Sequence, residues 1–256
     1  MGFCSACLLT AQENYSLWPR RPAELEQAQA LMRKHEYEQV LTLLEPFVNR
    51  SGLAGREARR IIGSIRVRRY LSANHPRAKT HTVKRGENIE RIATANKCSS
   101  DLLILINALR DPSSLKIGQK LTVYAQDLRA ELHLHERELS VWDGRELVAV
   151  YDVAPTADLL TGANEETTLR EREGELNGAR IARTSPLFTS CNRSLRLADG
   201  TLVTGGTPAD TVKVVRMQQS DANELSLLLG SGARVSIVRD NKSFDPFGSE
   251  PADANH

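Results

Sequence analysis

Four cysteines, Cys4, Cys7, Cys98 and Cys191, are the residues of this 256-residue chain best suited to covalent chemistry. Cys4 and Cys7 form a C-x-x-C pair, a spacing used for zinc and for redox exchange. A zinc site needs two further ligands at suitable spacing, and the other cysteines stand singly and far away. A redox pair needs a βαβ setting, which the neighbouring residues lack. Both cysteines fall in the apolar stretch Gly2 to Ala11, which reads as part of an export signal, short and without a basic start. Cys7 as a lipid-anchored cysteine is the alternative, poorly matched by Cys4-Ser5-Ala6 before it. A catalytic thiol works as a thiolate beside a base. Cys191 is the only cysteine after residue 98, and beyond residue 135 the only histidine is His256. His133 and His135 share one strand face, so a metal pair, or a base for Cys191, can be drawn there. A solvent-facing strand and a small buried thiol explain the same residues more simply. No Gly-x-Ser-x-Gly elbow is present. Gly205-Gly206 and Gly230-Ser231-Gly232 lack the rest of a phosphate loop and read as turns. The expectation is no catalytic residue, no metal ligand and no cofactor.

The elements that would position such residues follow from composition and periodicity. Apolar residues make up 40% and charged residues 26%, the usage of an ordinary folded chain rather than a disordered one. The formal net charge of +2 gives no reason to expect a nucleic-acid partner. The longest dense apolar run, Leu102 to Ile106, is far too short for a membrane helix. Pro22 suits a first helical turn, and Leu25, Ala28, Leu31 and Met32 recur at helical spacing. Tyr37, Val40, Leu41 and Leu44 make a second stripe, ending near Pro46, and Ala58, Ile61, Ile62 and Ile65 a third. Residues 20–71 read as a helical hairpin module of the tetratricopeptide kind, a candidate docking surface for an envelope protein. One such unit is not an array. The third helix carries Arg56, Arg59, Arg60, Arg66, Arg68 and Arg69, which read as a solvated face.

Residues 72–79 are polar and read as a linker. Beyond them the order is strand, helix, helix, strand. Thr82 and Val83 suit a strand that Gly86 breaks. Ile89, Ile92 and Ala93 share a helix face. Ser99 or Ser100 caps a helix carrying Leu102 to Ile106, which Asn107 closes. Leu121 and Val123 alternate as a strand, and the two strands brought together antiparallel would bury one face under both helices. From Leu128 strands dominate, with Asp143-Gly144 marking a hairpin. Residues 156–175 are acidic and poor in apolar residues and read as a long loop. Short strands return near 179–181, 195–197, 202–204 and 212–215, then a helix over 221–229 and a strand over 234–238. Residues 240–256 read as a disordered tail.

Residues 80–124 resemble a LysM domain. They run T-H-T-V-K-R-G-E-N-I-E-R-I-A, then D-L-L-I-L-I-N, then L-K-I-G-Q-K-L-T-V. The departures are Asn88 for Thr or Ser and Ile89 for Leu. The resemblance implies a βααβ domain that binds N-acetylglucosamine polymers such as peptidoglycan or chitin. Carried across, its groove has Gly86, Glu87, Asn88 and Ile89 on one side and Asn107, Ala108, Leu109 and Arg110 on the other. Gly86, Ile89 and Asn107 equally suit a turn, a core position and a helix end.

Residues 128–239 resemble the L,D-transpeptidase (YkuD-like) catalytic domain. The match lies in the opening hairpin, in Gly174-Glu175-Leu176, in V-V-R-M-Q-Q-S-D-A-N-E-L and in the close L-G-S-G-A-R-V-S-I-V. The family's S-H-G-C-x-R aligns with Thr211 to Arg216, which puts Val214 where the nucleophilic cysteine belongs. Its I-H-G-T aligns with Thr204 to Thr207, which puts Gly205 where a histidine belongs. Only Arg216 survives. The expectation is an α+β multidomain chain: a leader over 1–19, the helical module, the linker, the LysM domain, a mainly-β transpeptidase-like domain and the tail. Its expected function is peptidoglycan binding in the bacterial envelope, exported to the periplasm, with a pseudoenzyme domain. The alternatives are an active cell-wall transpeptidase with a rearranged site, and a scaffold that recruits envelope enzymes through the helices.

Overall fold

The computed structural model describes residues 21–182, 185–206 and 213–239, apart from the side chains of Pro186 and Thr189. The expected leader over 1–19 and tail over 240–256 lie outside the described residues. The architecture is α+β, and it begins with three helices. These are α1 (Ala23–Arg33), α2 (Tyr37–Leu44) and, after a short 3-10 turn, α3 (Gly52–Tyr70). Leu25, Ala28, Val40, Leu44 and Phe47 close on Ala58 and Ile62 of α3. The periodicity that predicts these helices is therefore the periodicity of their own core.

That core does not end with the helices. Trp142 and Leu147 of the C-terminal sheet belong to it, and Gly63 brings α3 down onto the sheet backbone. A Cβ there would stand 3.0 Å from Val150 N and 3.2 Å from Ala149 Cα. The arginine face of α3 is correspondingly solvated only in part: Arg60, Arg68 and Arg69 are exposed, whereas Arg59 is not. Arg59 is fully buried and grips the equally buried Glu138 in a two-pronged contact, Nε to Oε1 at 2.7 Å and Nη2 to Oε2 at 3.1 Å. It also donates to the Arg50 carbonyl at 2.9 Å. Arg56 and Arg60 both pair with Asp152, and Arg66 with Glu45. Charge counting along α3 alone misses the buried pair because Glu138 lies 79 residues further on.

Next come β1 (Lys79–Thr82), α4 (Ile89–Ala95), α5 (Ser100–Ile106) and β2 (Lys120–Val123). β1 and β2 pair antiparallel from Lys79↔Val123 to Thr82↔Lys120. Val83, Ile89, Ile92, Leu103, Leu121 and Val123 are buried between the strands and both helices, as the sequence pattern predicts. The segment before β1 is held rather than free. His75 is buried, stacked on Tyr124 at 4.3 Å and edge-on to Tyr70 at 4.8 Å between ring centroids. The Tyr124 hydroxyl donates to the Tyr70 carbonyl.

The C-terminal region is one twisted sheet with one helix. Its strands are β3 (Leu128–His133), β4 (Glu138–Asp143), β5 (Glu146–Asp152), β6 (Ala154–Pro155), β7 (Glu165–Leu176), β8 (Ala179–Ile181), β9 (Asn192–Leu197), β10 (Leu202–Thr204) and β11 (Val214–Arg216). Helix α6 (Gln219–Leu228) and β12 (Arg234–Val238) follow. The order is β5-β4-β3-β12-β7-β9-β10-β11-β6, with β8 against β7. The β4–β5 turn is the Asp143-Gly144 hairpin, Gly144 sitting at φ 56°. The helix over 221–229 and the strand over 234–238 are present as expected.

The expected acidic loop over 156–175 is also corrected. Its residues 165–175 lie in β7, the longest strand of the sheet. Its first half pairs with β12 and its second half with β9, with an irregularity between Leu169 and Glu171. Several of its charges have partners, on or beside the sheet or on α5. Glu173 takes two hydrogen bonds from Arg196, and the buried Arg172 reaches Asp101 at 2.5 Å. Salt-bridged side chains supply the partners that apolar residues supply elsewhere.

Candidate glycan cleft and its neighbours

Local turns shape the β1–α4 loop. Gly86 adopts φ 81°, the left-handed conformation that the third residue of such a turn requires. The Glu87 carboxylate accepts from the Lys84 amide at 2.8 Å and contacts His81 Nε2 at 2.9 Å. The Lys84 amide, then the His81 contact, holds its carboxyl below the usual range. Asn88 caps α4 by accepting from the Arg91 amide at 2.9 Å. Its amide nitrogen has no hydrogen bond among the described residues. Arg91 in turn donates to the Gly86 carbonyl.

Glu87, Asn88 and Ile89 line a cleft of about 280 Å³. Facing them are Pro112, Ser113 and Leu115, and Ser185 and Phe188 of the C-terminal region complete the wall. The other half of the expected groove lies elsewhere. Asn107 is spent inside the fold: its side chain donates to Leu103 and Thr122 carbonyls and accepts from the Thr122 amide at 2.7 Å. Ala108 is left-handed at φ 49° and ends α5. Ala108 and Leu109 line a separate cavity of about 660 Å³ between α5 and α6. Gly86, Asn107 and Arg110 line neither space. Ser113 and Leu115 belong to a polar turn that marks them as loop residues, whereas no local signal brings Ser185 to this cleft. Its place depends on how the sheet docks.

The residues considered for thiol or metal chemistry are scattered. Cys191 is buried and contacts the Phe188 carbonyl at 3.3 Å. Burial pushes its thiol up, and pushes that of Cys98 to about 11. His133 is not solvent-facing; it is 8% exposed, beside Glu131 at 3.5 Å, while His135 is exposed. Register separates it from Cys191. His133 pairs with Val238, whose neighbour Ile237 faces Glu165, while Asn192, next to Cys191, faces Glu175. The two therefore lie at opposite ends of β7, on the order of 30 Å apart along the strand. No group of three or more candidate metal ligands occurs among the described residues.

β10 and β11 run parallel, with Leu202 beside Val214 and Thr204 beside Arg216. Val214 is buried, and its amide donates to Thr156 Oγ1 at 3.2 Å. Gly205 sits tight against α6: a Cβ there would meet Gln219 Cα at 2.5 Å. The Thr204 hydroxyl joins Ser194 and the Gly206 amide. Thr207, Thr211 and Val212 lie outside the described residues. In the run after Val214, Met217, Ala222 and Leu225 fill the core under the sheet.

Residues 81–123 match the family model of the LysM domain, less than a fifth of the chain. No curated protein matches the sequence. Among solved structures, the chain is similar to an L,D-transpeptidase of Xylanimonas cellulosilytica, at 14% identity and TM-score 0.31, over 44% of this chain and 60% of that one. It is similar to an L,D-transpeptidase of Mycobacterium smegmatis, at 9% identity and TM-score 0.31, over 48% and 64%. A fused Zn-dependent amidase/peptidase/peptidoglycan-binding domain-containing protein of Clostridium acetobutylicum stands at 10% identity and TM-score 0.32, over 43% and 51%. The chain spans about half to two thirds of the length of these structures. At such scores they decide nothing about its chemistry. No described helix is long and apolar enough to cross a membrane.

Proposed function

We propose that this chain binds peptidoglycan, or a related N-acetylglucosamine glycan, in the bacterial cell envelope through the cleft at Glu87–Ile89 and Ser113. The LysM match over 81–123 carries this reading. The cleft chemistry suits a neutral sugar: the free Asn88 amide nitrogen and the Ser113 hydroxyl can bond an acetamido group, beside the apolar Ile89 and Leu115. On this reading the chain works after export, in the periplasm or at the wall, with lipid anchoring at Cys7 as an alternative.

The same proposal makes residues 128–239 an L,D-transpeptidase-like domain without transfer chemistry. The retained R-M-Q-Q-S-D-A-N-E-L run supports the likeness. Three observations support the loss. The nucleophile's place is the buried Val214. The histidine's place is Gly205, where Gln219 leaves no room for a side chain. The described thiols lie elsewhere, Cys191 buried and Cys98 half-buried, and burial makes both hard to ionise. The scaffold alternative fares less well, because the apolar faces of α1–α3 are spent on one another and on Trp142 and Leu147.

Co-sedimentation of the full chain with intact peptidoglycan sacculi tests both halves. The chain should pellet, and Ser113→Trp, which fills the cleft mouth from an exposed position, should weaken binding about tenfold or more. The muropeptide profile of the treated sacculi should be unchanged. Unimpaired pelleting of the Ser113→Trp variant removes the cleft from the reading. New cross-linked muropeptides would end the pseudoenzyme reading.

A further inference from the structure

The glycan cleft does not end at α4. Glu90 and Ser100 line it, and they also line a second cavity of about 350 Å³. One wall of that cavity is the end of α4, through Thr94 and, just beyond the helix, Lys97. The facing wall is the turn from Gly230 to Arg234 that enters β12. The cavity thus lies on the seam between the βααβ unit and the sheet, and neither builds it alone.

Its chemistry differs from that of the glycan cleft. No aromatic ring lines it, so nothing offers a flat face to a sugar. Five charged side chains line it. Arg172 is engaged by Asp101, and the other four are exposed, two of each sign: Glu90 on α4 and Lys97 just beyond its end, Asp127 and Arg234 across from them. None of the four is in an ion pair among the described residues, and none makes a side-chain hydrogen bond there. The Gln126 amide nitrogen is buried at the same wall without a partner among the described residues, while its oxygen accepts from the Ser99 amide. A buried donor left unmet is costly, and a carbonyl or carboxylate answers it. A neutral sugar would make no use of the four exposed charges that ring this buried amide.

We propose that the seam cavity takes a short zwitterionic peptide: the peptide branch of a peptidoglycan strand whose sugar occupies the adjoining cleft. This rests on the glycan reading above. The branch supplies an ammonium group for Glu90 and Asp127, carboxylates for Lys97 and Arg234, and backbone carbonyls for Gln126. The full chain therefore recognises the junction of sugar and peptide, not the sugar alone.

Calorimetric titration of the full chain with two probes tests this. One is the N-acetylglucosamine–N-acetylmuramic acid disaccharide; the other is the same disaccharide bearing its tetrapeptide. The peptide-bearing probe should bind about tenfold more tightly. Lys97→Asn combined with Arg234→Gln should close that gap and leave disaccharide binding unchanged. Asparagine is chosen because residue 97 is left-handed at φ 53°, a conformation it tolerates. Glu90→Gln with Asp127→Asn, a second variant that keeps shape, should narrow the gap as well. Equal affinities for the two probes, with the disaccharide bound, overturn the peptide assignment and leave the glycan reading standing. A gap that survives both variants also overturns it. Failure of both probes to bind overturns the two readings together.

Discussion

Cys191 shows how a single residue's environment decides its chemistry. A nucleophilic thiol needs a stabilised thiolate and access. Cys191 has neither, packed under Phe188 and against Gly174, where a Cβ would come within 2.7 Å of its sulfur. Cys98 is half-buried, and its thiol sits near 11. Both should therefore react with a thiol probe at pH 7.5 far more slowly than free cysteine, and at a full rate only after unfolding. Peptide-resolved mass spectrometry separates them from Cys4 and Cys7. Fast, pH-dependent labelling of Cys191 in the folded chain would revive the active-enzyme alternative. Gly205 makes the same point from the other direction. A histidine placed at that position finds no room, because a Cβ there would meet Gln219 Cα at 2.5 Å. Whether residue 205 can hold a side chain is invisible in sequence, because the neighbour that forbids it is fourteen residues away and reaches it only after α6 has packed.

Among the elements, α3 and β7 carry the main lessons. Both are rich in charge, and both were expected to face water. Each instead turns part of its charge inward, where Arg59 and Arg172 are buried against carboxylates, and leaves the rest exposed. Arg59 and Glu138 form a buried pair with a further backbone carbonyl on the guanidinium. Removing one partner of such a pair leaves the other charge stranded. Arg59→Met should destabilise the chain by about 3–5 kcal/mol in urea unfolding, whereas Arg59→Met with Glu138→Leu should recover most of that loss. A cost below 1 kcal/mol for the single variant would mean that α3 is not docked on the sheet in solution. The elements that the sequence announced well were those held by local rules: α1, α2, the βααβ unit, the Asp143-Gly144 hairpin, α6 and β12. In these, apolar spacing, caps and turn residues all lie within a few positions of one another. β7 and the arginine face escaped because their partners are distant: Arg196 for Glu173, Asp101 for Arg172, Glu138 for Arg59. The candidate cleft divides in the same way. Its β1–α4 half was legible from Gly86 to Ile89, whereas the residues that face them include Ser185, brought there only by tertiary docking.

At the scale of the molecule, the three regions are joined by buried contacts. Arg59–Glu138 ties the helices to the sheet, Arg172–Asp101 ties the βααβ unit to it, and His75 packs between Tyr70 and Tyr124 where all meet. Burial, then the Arg77 and Arg69 charges, lowers the pKa of His75. Its Nδ1 accepts from the Arg77 amide at 3.2 Å, which requires that nitrogen unprotonated. The folded state thus favours the neutral ring. Its contribution to stability is complete above the ordinary histidine value of about 6.5 and is lost as pH falls through the lower folded value. The melting temperature should drop between pH 7 and pH 5, and His75→Phe, which keeps the ring stack, should flatten that slope. An unchanged slope in His75→Phe would assign the effect to other groups. The Arg172–Asp101 contact has a mechanical consequence. If residues 81–123 are fastened to a rigid polymer, tension on them does not stretch a loose tether. It enters the sheet at β7, which has a neighbour on each side, and is divided between two ladders before it reaches an edge. Anchored in that way, the C-terminal region would move with the βααβ unit and not trail behind it.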